Sequence, residues 1–233
     1  MNMKTVAVIG AMEQEIERLL GEMGDVETLN FGNFTAYRGR LAGKTVILAL
    51  SGIGKVNAAV TTAWIVRDFA PDCVINTGSA GGLAKGLKVG DVVVGERVAH
   101  HDVDVTAFGY KRGQVPQLPE IYESDRALVA KAEAAAQAFE GAAVVRGLVV
   151  SGDQFVHSSE GVNAIRADFP EVCAVEMEAA AIAQSCHQLR VPFVIIRAVS
   201  DAADEKADVS FDEFLKTAAE SSAKMVRKIV ESL

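Results

Sequence analysis

The chain has 233 residues, 50% of them hydrophobic and 23% charged, enough for one large core and short for two independent ones. A formal net charge of -8, with no stripe rich in Lys and Arg, argues against broad nucleic-acid binding but leaves room for a small nucleotide-like ligand in a pocket. No stretch reaches the ~18 consecutive apolar residues that a membrane span requires, and Cys73, Cys173 and Cys186 form neither a CxxC pair nor a metal-binding spacing.

The N-terminal apolar run is too short for a signal sequence, so a cytoplasmic protein with reduced core thiols is expected. Short β-branched runs then alternate with helical patterns. "TVAVIGA" (5–11) reads as a strand and leads into a helix in which Met12, Ile16, Leu19, Leu20 and Met23 share one face. "TVILAL" (45–50) precedes the helical "GKVNAAVTTAWIVRDF" (54–69), and "CVINTG" (73–78) follows it. "DVVVGERV", "AVVRGLVVSG", "CAVEME" and "PFVIIRAVS" continue the series of strands. Among them lies "HHDVDVTAFGYKRGQVPQLPE" (100–120), a long connection with two prolines, of a kind that is often functional or interfacial. The last helix opens on Ser210, whose spacing to Glu213 fits a capping box; Phe211, Phe214, Leu215, Ala218, Met225, Val226 and Ile229 fall near one stripe.

Continuous apolar strands between helices imply an α/β fold: a three-layer sandwich whose mixed central sheet is covered on both faces. No linker, repeat or low-complexity tract divides it, so residues 1–233 are expected to form a single domain. In such sheets ligands gather beyond the carboxyl ends of the strands. Polar residues fall there six times: Glu13 and Glu15, Ser51-Gly52, Gly78-Ser79, Ser151-Gly152-Asp153 with Phe155, Glu176 and Glu178, and Ser200-Asp201. Their joint placement points to one composite pocket. "SGIGKV" and "TGSAGGLAKG" match neither the phosphate-binding nor the dinucleotide-binding glycine spacing, and read as tight turns. His100, His101, Asp102 and Asp104 lack the helical spacing of common zinc sites and read as a solvated loop, so no metal is expected. Glu176 and Glu178 flank a methionine where a strand passes into a helix, and either acid could cap that helix or hold a ligand.

Together "IGAMEQEI", "SGIGKVNAA", "NTGSAGGL", "HDVDVTAFGY", "VSGDQF", "VEMEAAAIA", "RAVSDAAD" and "SFDEFL" resemble the 5'-methylthioadenosine/S-adenosylhomocysteine nucleosidases of the purine nucleoside phosphorylase-like superfamily. The resemblance runs nearly end to end. It implies a homodimeric hydrolase that cleaves the bond between adenine and ribose, with no cofactor. By the same resemblance, Asp201 is the acid that protonates the purine, Arg197 and Ser200 help hold it, and Glu15, rather than Glu13, activates water. Phe155 stacks on adenine and the Val156 backbone reads its edge. Glu178 binds the ribose hydroxyls, with Met177 and Phe211 against the sugar, Ser79 near the water and Glu176 alongside. Met12 and Ile53 face the 5'-thio group. Val105, Phe108 and Pro116 are expected to wall the neighbouring subunit's pocket. Phosphorylases of this superfamily carry an arginine two residues before the "GS" of the glycine turn; here that place is Asn76, which disfavours phosphorolysis. The same residues also admit a nucleosidase for a different 5'-modified nucleoside, or a nucleoside-binding protein without turnover.

Overall fold

Five of the six residues of the first strand, β1 (Thr5–Gly10), are buried, the pattern of a parallel strand covered on both faces. The computed structural model describes residues 3–137, 142–204 and 207–233. After β1 come α1 (Glu13–Glu22), β2 (Gly24–Phe31), β3 (Phe34–Leu41), β4 (Lys44–Leu50), α2 (Lys55–Phe69), β5 (Cys73–Gly82) and β6 (Val92–His100). A 3-10 turn at Thr106–Phe108 and β7 (Tyr122–Glu123) lead to α3 (Arg126–Gln137). β8 (Val144–Ser151), α4 (Ser159–Asp168), β9 (Val172–Glu176), α5 (Ala179–Leu189), β10 (Phe193–Asp201) and α6 (Ala207–Ser232) complete the order.

β5 is the hub of the sheet. It pairs in parallel with β1 and β10 and antiparallel with β9. From β1 the sheet continues through β4 and β3 to β2; on the other side β10, β6, β8 and β9 return to β5, so that half closes on itself. One apolar layer, with Val8, Ile75, Ile196 and Met225, lies under α1, α3 and α6. The other, with Ile9, Ile65, Ile182 and Ile195, lies under α2 and α5. This is the expected mixed sheet between helical layers.

Three local expectations change. The hairpin of β2 and β3 has no counterpart in the sequence reading, because all but one residue of β2 is exposed and no apolar alternation marks it. β5 runs on through Gly78-Ser79, which were expected beyond a strand end, because neighbours remain available: Ser79 pairs with Ala198 and Gly81 with Val175. α6 begins at Ala207, so Ser210 lies inside its first turn and does not open it.

Closing the ring forces strands close together at Gly95 of β6, which stands opposite Ile195 and beside Gly147. A Cβ there would lie 2.9 Å from that of Ile195 and 3.0 Å from Cγ2 of Val149, both on branched side chains with no room to yield. Gly95→Ala is therefore expected to destabilise the fold by about 1–3 kcal/mol, as overpacking does. Chemical denaturation reads this directly, and an unchanged midpoint would contradict the tightness of the closure.

Candidate active site

A cavity of about 330 Å³ opens where β1, β5, β8, β9 and β10 end. Met12, Glu15, Ile53, Ser79, Phe155, Val156, Glu176, Met177, Glu178, Ser200, Asp201 and Phe211 all line it. Twelve of the residues singled out from sequence thus meet in one place. Gln154 and Asp212 line it as well; sequence reasoning misses them, although each adjoins a residue that it names.

Glu15 stands in the first turn of α1, and its side chain turns back on the strand-to-helix junction. Oε2 accepts from the backbone N–H of Ala11 at 2.8 Å and of Met12 at 3.2 Å. Oε1 accepts from the N–H of Ser79 at 2.9 Å and from its hydroxyl at 3.0 Å. Four donors therefore fix one buried carboxylate at the cavity wall. Glu13, two residues earlier, is exposed.

Asp201 ends β10, where Oδ1 accepts from the N–H of Ala203 and Oδ2 from the hydroxyl of Ser200, each at 2.8 Å. Burial raises its pKa above the ordinary carboxylate value, against the pull of those two donors. It is a carboxyl group held nearer to protonation than a solvated aspartate.

Glu176 ends β9 and Glu178 precedes α5. Glu176 serves the helix start: it accepts from the N–H of Glu178 at 3.0 Å, from that of Ala179 at 2.9 Å and from the Ser151 hydroxyl. The capping role thus falls to Glu176, whose carboxylate satisfies otherwise orphaned amides. Glu178 makes no such cap. Its Oε1 accepts from the N–H of Gly54 at 2.9 Å, and Oε2 lies 3.4 Å from Nη2 of Arg197.

Arg197 was expected to help hold Asp201, and it does not. Its fully buried guanidinium lies beneath the two glutamates: Nη2 donates to Glu176, to Glu178 and to Oδ1 of Asn76 at 2.7 Å, and Nη1 to the Ser79 carbonyl at 3.2 Å. It is absent from the cavity lining, because a buried cation seeks the nearest carboxylates, and those are the glutamates. Ser200 does hold Asp201.

Phe155 and Phe211 meet edge to face in the cavity lining, with centroids 5.7 Å apart. Val105, Phe108 and Pro116 do not line this chain's cavity, and Phe108 is 81% exposed. His100 and His101 depart from the expected solvated loop. Both are buried, and His100 completes β6 with Nε2 2.9 Å from the Gln184 side chain.

The sequence profile of the Phosphorylase superfamily matches residues 5–231. A 5'-methylthioadenosine/S-adenosylhomocysteine nucleosidase of Geobacillus sp. is 53% identical over 98% of each chain. The crystal structure of a nucleosidase of the same description from Neisseria meningitidis, in complex with methylthio-immucillin-A, is 74% identical, covers 99% of this chain and 100% of its own, and superposes with a TM-score of 0.98. A futalosine hydrolase of Helicobacter pylori is 36% identical, covers 99% and 98%, and has a TM-score of 0.94.

The chain belongs to the 5'-methylthioadenosine/S-adenosylhomocysteine nucleosidase family.

Membership in this family of N-glycosyl hydrolases makes the departure at Asn76 informative. Asn76 is not among the residues that line the cavity, and its side chain donates to the Ile9 carbonyl at 2.9 Å and accepts from Arg197. Among the described residues, no Lys or Arg lines the cavity.

The same environment makes Glu178 a proton reservoir. Burial first, then the neighbouring Glu176, pushes its pKa up from 4.5 to about 8, against the attraction of Arg197. Between those two values the folded chain holds a proton that the unfolded chain has lost, so stability falls as pH rises through that window. Below it both states are protonated and the penalty vanishes. Asp201, also raised, contributes in the same direction. Glu178→Gln cannot ionise, and its unfolding free energy is expected to decline less between pH 4.5 and 8 than that of the wild type. Urea denaturation of both proteins across that range measures the difference; parallel profiles would contradict the raised pKa.

Proposed function

We propose that this chain hydrolyses the N-glycosidic bond of 5'-methylthioadenosine and S-adenosylhomocysteine, releasing adenine and a thioribose product. The observation that carries the reading is the pairing of two buried carboxyl groups in contrasting surroundings on one cavity. Glu15 is held by four donors, whereas Asp201 is pushed towards its protonated form by burial. An acid and a base are what glycosidic cleavage needs and what mere binding does not.

Bond breaking places positive charge on the sugar and drives electrons into the purine. Asp201 gives its proton to N7 as the bond lengthens, so that adenine leaves neutral. Glu15 accepts a proton from water, which attacks the anomeric carbon, with Ser79 beside both. Phe155 stacks on the adenine and the Val156 backbone reads its edge. Glu178 accepts from the ribose hydroxyls, Met177 and Phe211 pack on the sugar, and Met12 and Ile53 meet the 5'-thio group. The step is complete with side chains and water alone.

Hydrolysis is favoured over phosphorolysis because a phosphate dianion needs a cation facing it. Asn76 is uncharged, and Arg197 is bound to two glutamates. The relative of 74% identity, whose structure holds methylthio-immucillin-A, supports the thio-substituted nucleosides as substrates. We also propose that the single-domain enzyme acts as a homodimer, with Val105, Phe108 and Pro116 completing the neighbouring pocket; the exposure of Phe108 supports this. Three free cysteines suit a reducing cytoplasm.

Adenine release from methylthioadenosine is expected to proceed undiminished in phosphate-free buffer, and a sugar 1-phosphate as main product would overturn the hydrolytic reading. Asp201→Asn and Glu15→Gln are each expected to lower kcat by ~10²–10⁴-fold, the usual worth of general acid–base catalysis. Phe155→Ala removes a contact present in ground and transition states alike, so KM is expected to rise more than kcat falls. A folded Asp201→Asn that keeps more than about a tenth of kcat would remove Asp201 from the acid role. Phe108→Ala is expected to weaken KM for the thio-substituted nucleosides while leaving the assembly intact; sedimentation alongside steady-state kinetics tests this.

A further inference from the structure

The glutamate that faces the sugar is held by a backbone amide that has no side chain of its own to anchor it. Gly54 is the N-cap of α2, with φ of +97°, and its N–H donates to Oε1 of Glu178 at 2.9 Å. Being glycine, it brings no side chain to cap the helix, and the amide of Lys55 donates to Oδ1 of Asp153 at 2.7 Å. The N–H of Asp153 in turn donates to Oδ2 of Asp102 at 2.9 Å. The other oxygen of Asp102 lies 2.6 Å from Nζ of Lys55. Three residues thus close a ring: Lys55 to Asp153, Asp153 to Asp102, and Asp102 back to Lys55.

Each member lies beyond the end of a different strand, Lys55 as the first residue of α2. Lys55 follows β4, Asp102 follows β6 and Asp153 follows β8. None of the three lines the cavity. Lys55 and Asp153 each stand close in sequence to residues that do: Lys55 two residues after Ile53, Asp153 just before Gln154 and Phe155. The space is tight, since a Cβ on Gly54 would lie 3.2 Å from Oδ1 of Asp153. The Lys55–Asp102 pair is only 17% and 25% exposed, so solvent and salt screen it less than an ordinary surface pair.

We propose that Lys55 and Asp102 are positioning residues for sugar recognition, whose ion pair holds the 51–55 turn so that the Gly54 amide stays on Glu178. This rests on the nucleosidase reading and deepens it by naming what orients the ribose-binding carboxylate. With Oε1 fixed by Gly54 and Oε2 by Arg197, the Glu178 carboxylate plane has one orientation, and a diol needs two acceptor lone pairs at a set angle. Without the ion pair, the turn keeps its bond to Asp153 but loses the cross-brace to Asp102. The carboxylate then turns more freely, and recognition weakens for ligands that carry ribose. Free adenine, which has no diol, does not report on Glu178.

That asymmetry gives the test. Lys55→Met removes the charge and keeps the aliphatic stem; Asp102→Asn keeps an oxygen for the Asp153 amide and is nearly isosteric, so it preserves the fold if the first variant does not. Both are compared with wild type for KM and kcat on methylthioadenosine and for competitive inhibition by adenine. The expected result is a KM raised about tenfold, the worth of one hydrogen bond to a charged group, with the adenine inhibition constant changed by less than about twofold. Equal rises in both constants, or no rise in KM, would overturn the proposal. A wild type that releases no adenine from methylthioadenosine would instead overturn the nucleosidase reading itself, and the proposal with it.

Discussion

A single guanidinium sits under the whole site. Arg197 is buried on β10, and through two nitrogens it reaches Glu176, Glu178, Asn76 and the Ser79 carbonyl. Two carboxyl groups at that depth, without a cation, would carry a prohibitive desolvation cost; with one cation, one negative charge is balanced and the second is not. Burial first, and then the unbalanced charge of Glu176, raises the pKa of Glu178 to about 8. A free site can therefore rest with a proton on that carboxyl group. A ribose diol, which offers two donors, favours the ionised form, so binding and proton release are linked. The acid proposed to face the sugar is thereby poised between two states by the burial that also forms the pocket.

The arrangement depends on the way β5 is built. Its Gly78 lies where the guanidinium and Glu15 come together: a Cβ there would collide with Nη1 of Arg197 and lie 2.8 Å from Oε1 of Glu15. The next residue, Ser79, gives its N–H and hydroxyl to Glu15 and its carbonyl to Arg197. One extended dipeptide thus joins the base proposed for water to the cation beneath Glu176 and Glu178. The strand can do this because it does not end at Gly78. Continued pairing with β10 and β9 carries it along the cavity, where a Cβ on Gly81 would lie 3.0 Å from Oδ1 of Asp201. Helix α6 is pinned to the same strand from below, where the buried Ser222 hydroxyl meets that of Thr77 at 2.7 Å and the Gly78 amide at 3.2 Å.

Much of this is legible in the sequence, for identifiable reasons. The buried strands announce themselves as continuous β-branched runs, and of the polar residues read at their ends Glu15, Ser79, Glu176, Glu178, Ser200 and Asp201 line one cavity, whereas Glu13, Ser51 and Asp153 do not. Local pattern reaches its limit where the deciding contact is distant in sequence. Periodicity places Glu13 and Glu15 on opposite borders of one stripe; what separates them is Ser79, 64 residues away. Arg197 is expected to serve its near neighbour Asp201, whereas its partners are Glu176, Glu178 and Asn76, on β9, before α5 and on β5. The β2–β3 hairpin is invisible because β2 is exposed along nearly all its length, leaving no binary pattern to read. The histidines mislead for the converse reason: a polar pair at the end of an apolar strand can be buried by what packs over it, and Gln184 and Tyr122 both lie against His100.

The substitution that separates this chain from the phosphorylases then takes on a structural meaning beyond the loss of a charge. An arginine at position 76 would put a second guanidinium beside Arg197, where two like charges in a buried site repel strongly. With Asn76 there, one end of the amide donates to the Ile9 carbonyl and the other accepts from Arg197, which ties β1 to β10 across β5. The neutral amide leaves Arg197 to the two glutamates and keeps it turned away from the cavity. On the proposed reading, the neutral residue at position 76 leaves water and not an anion as the nucleophile, and the same side chain holds Arg197 beneath the two glutamates.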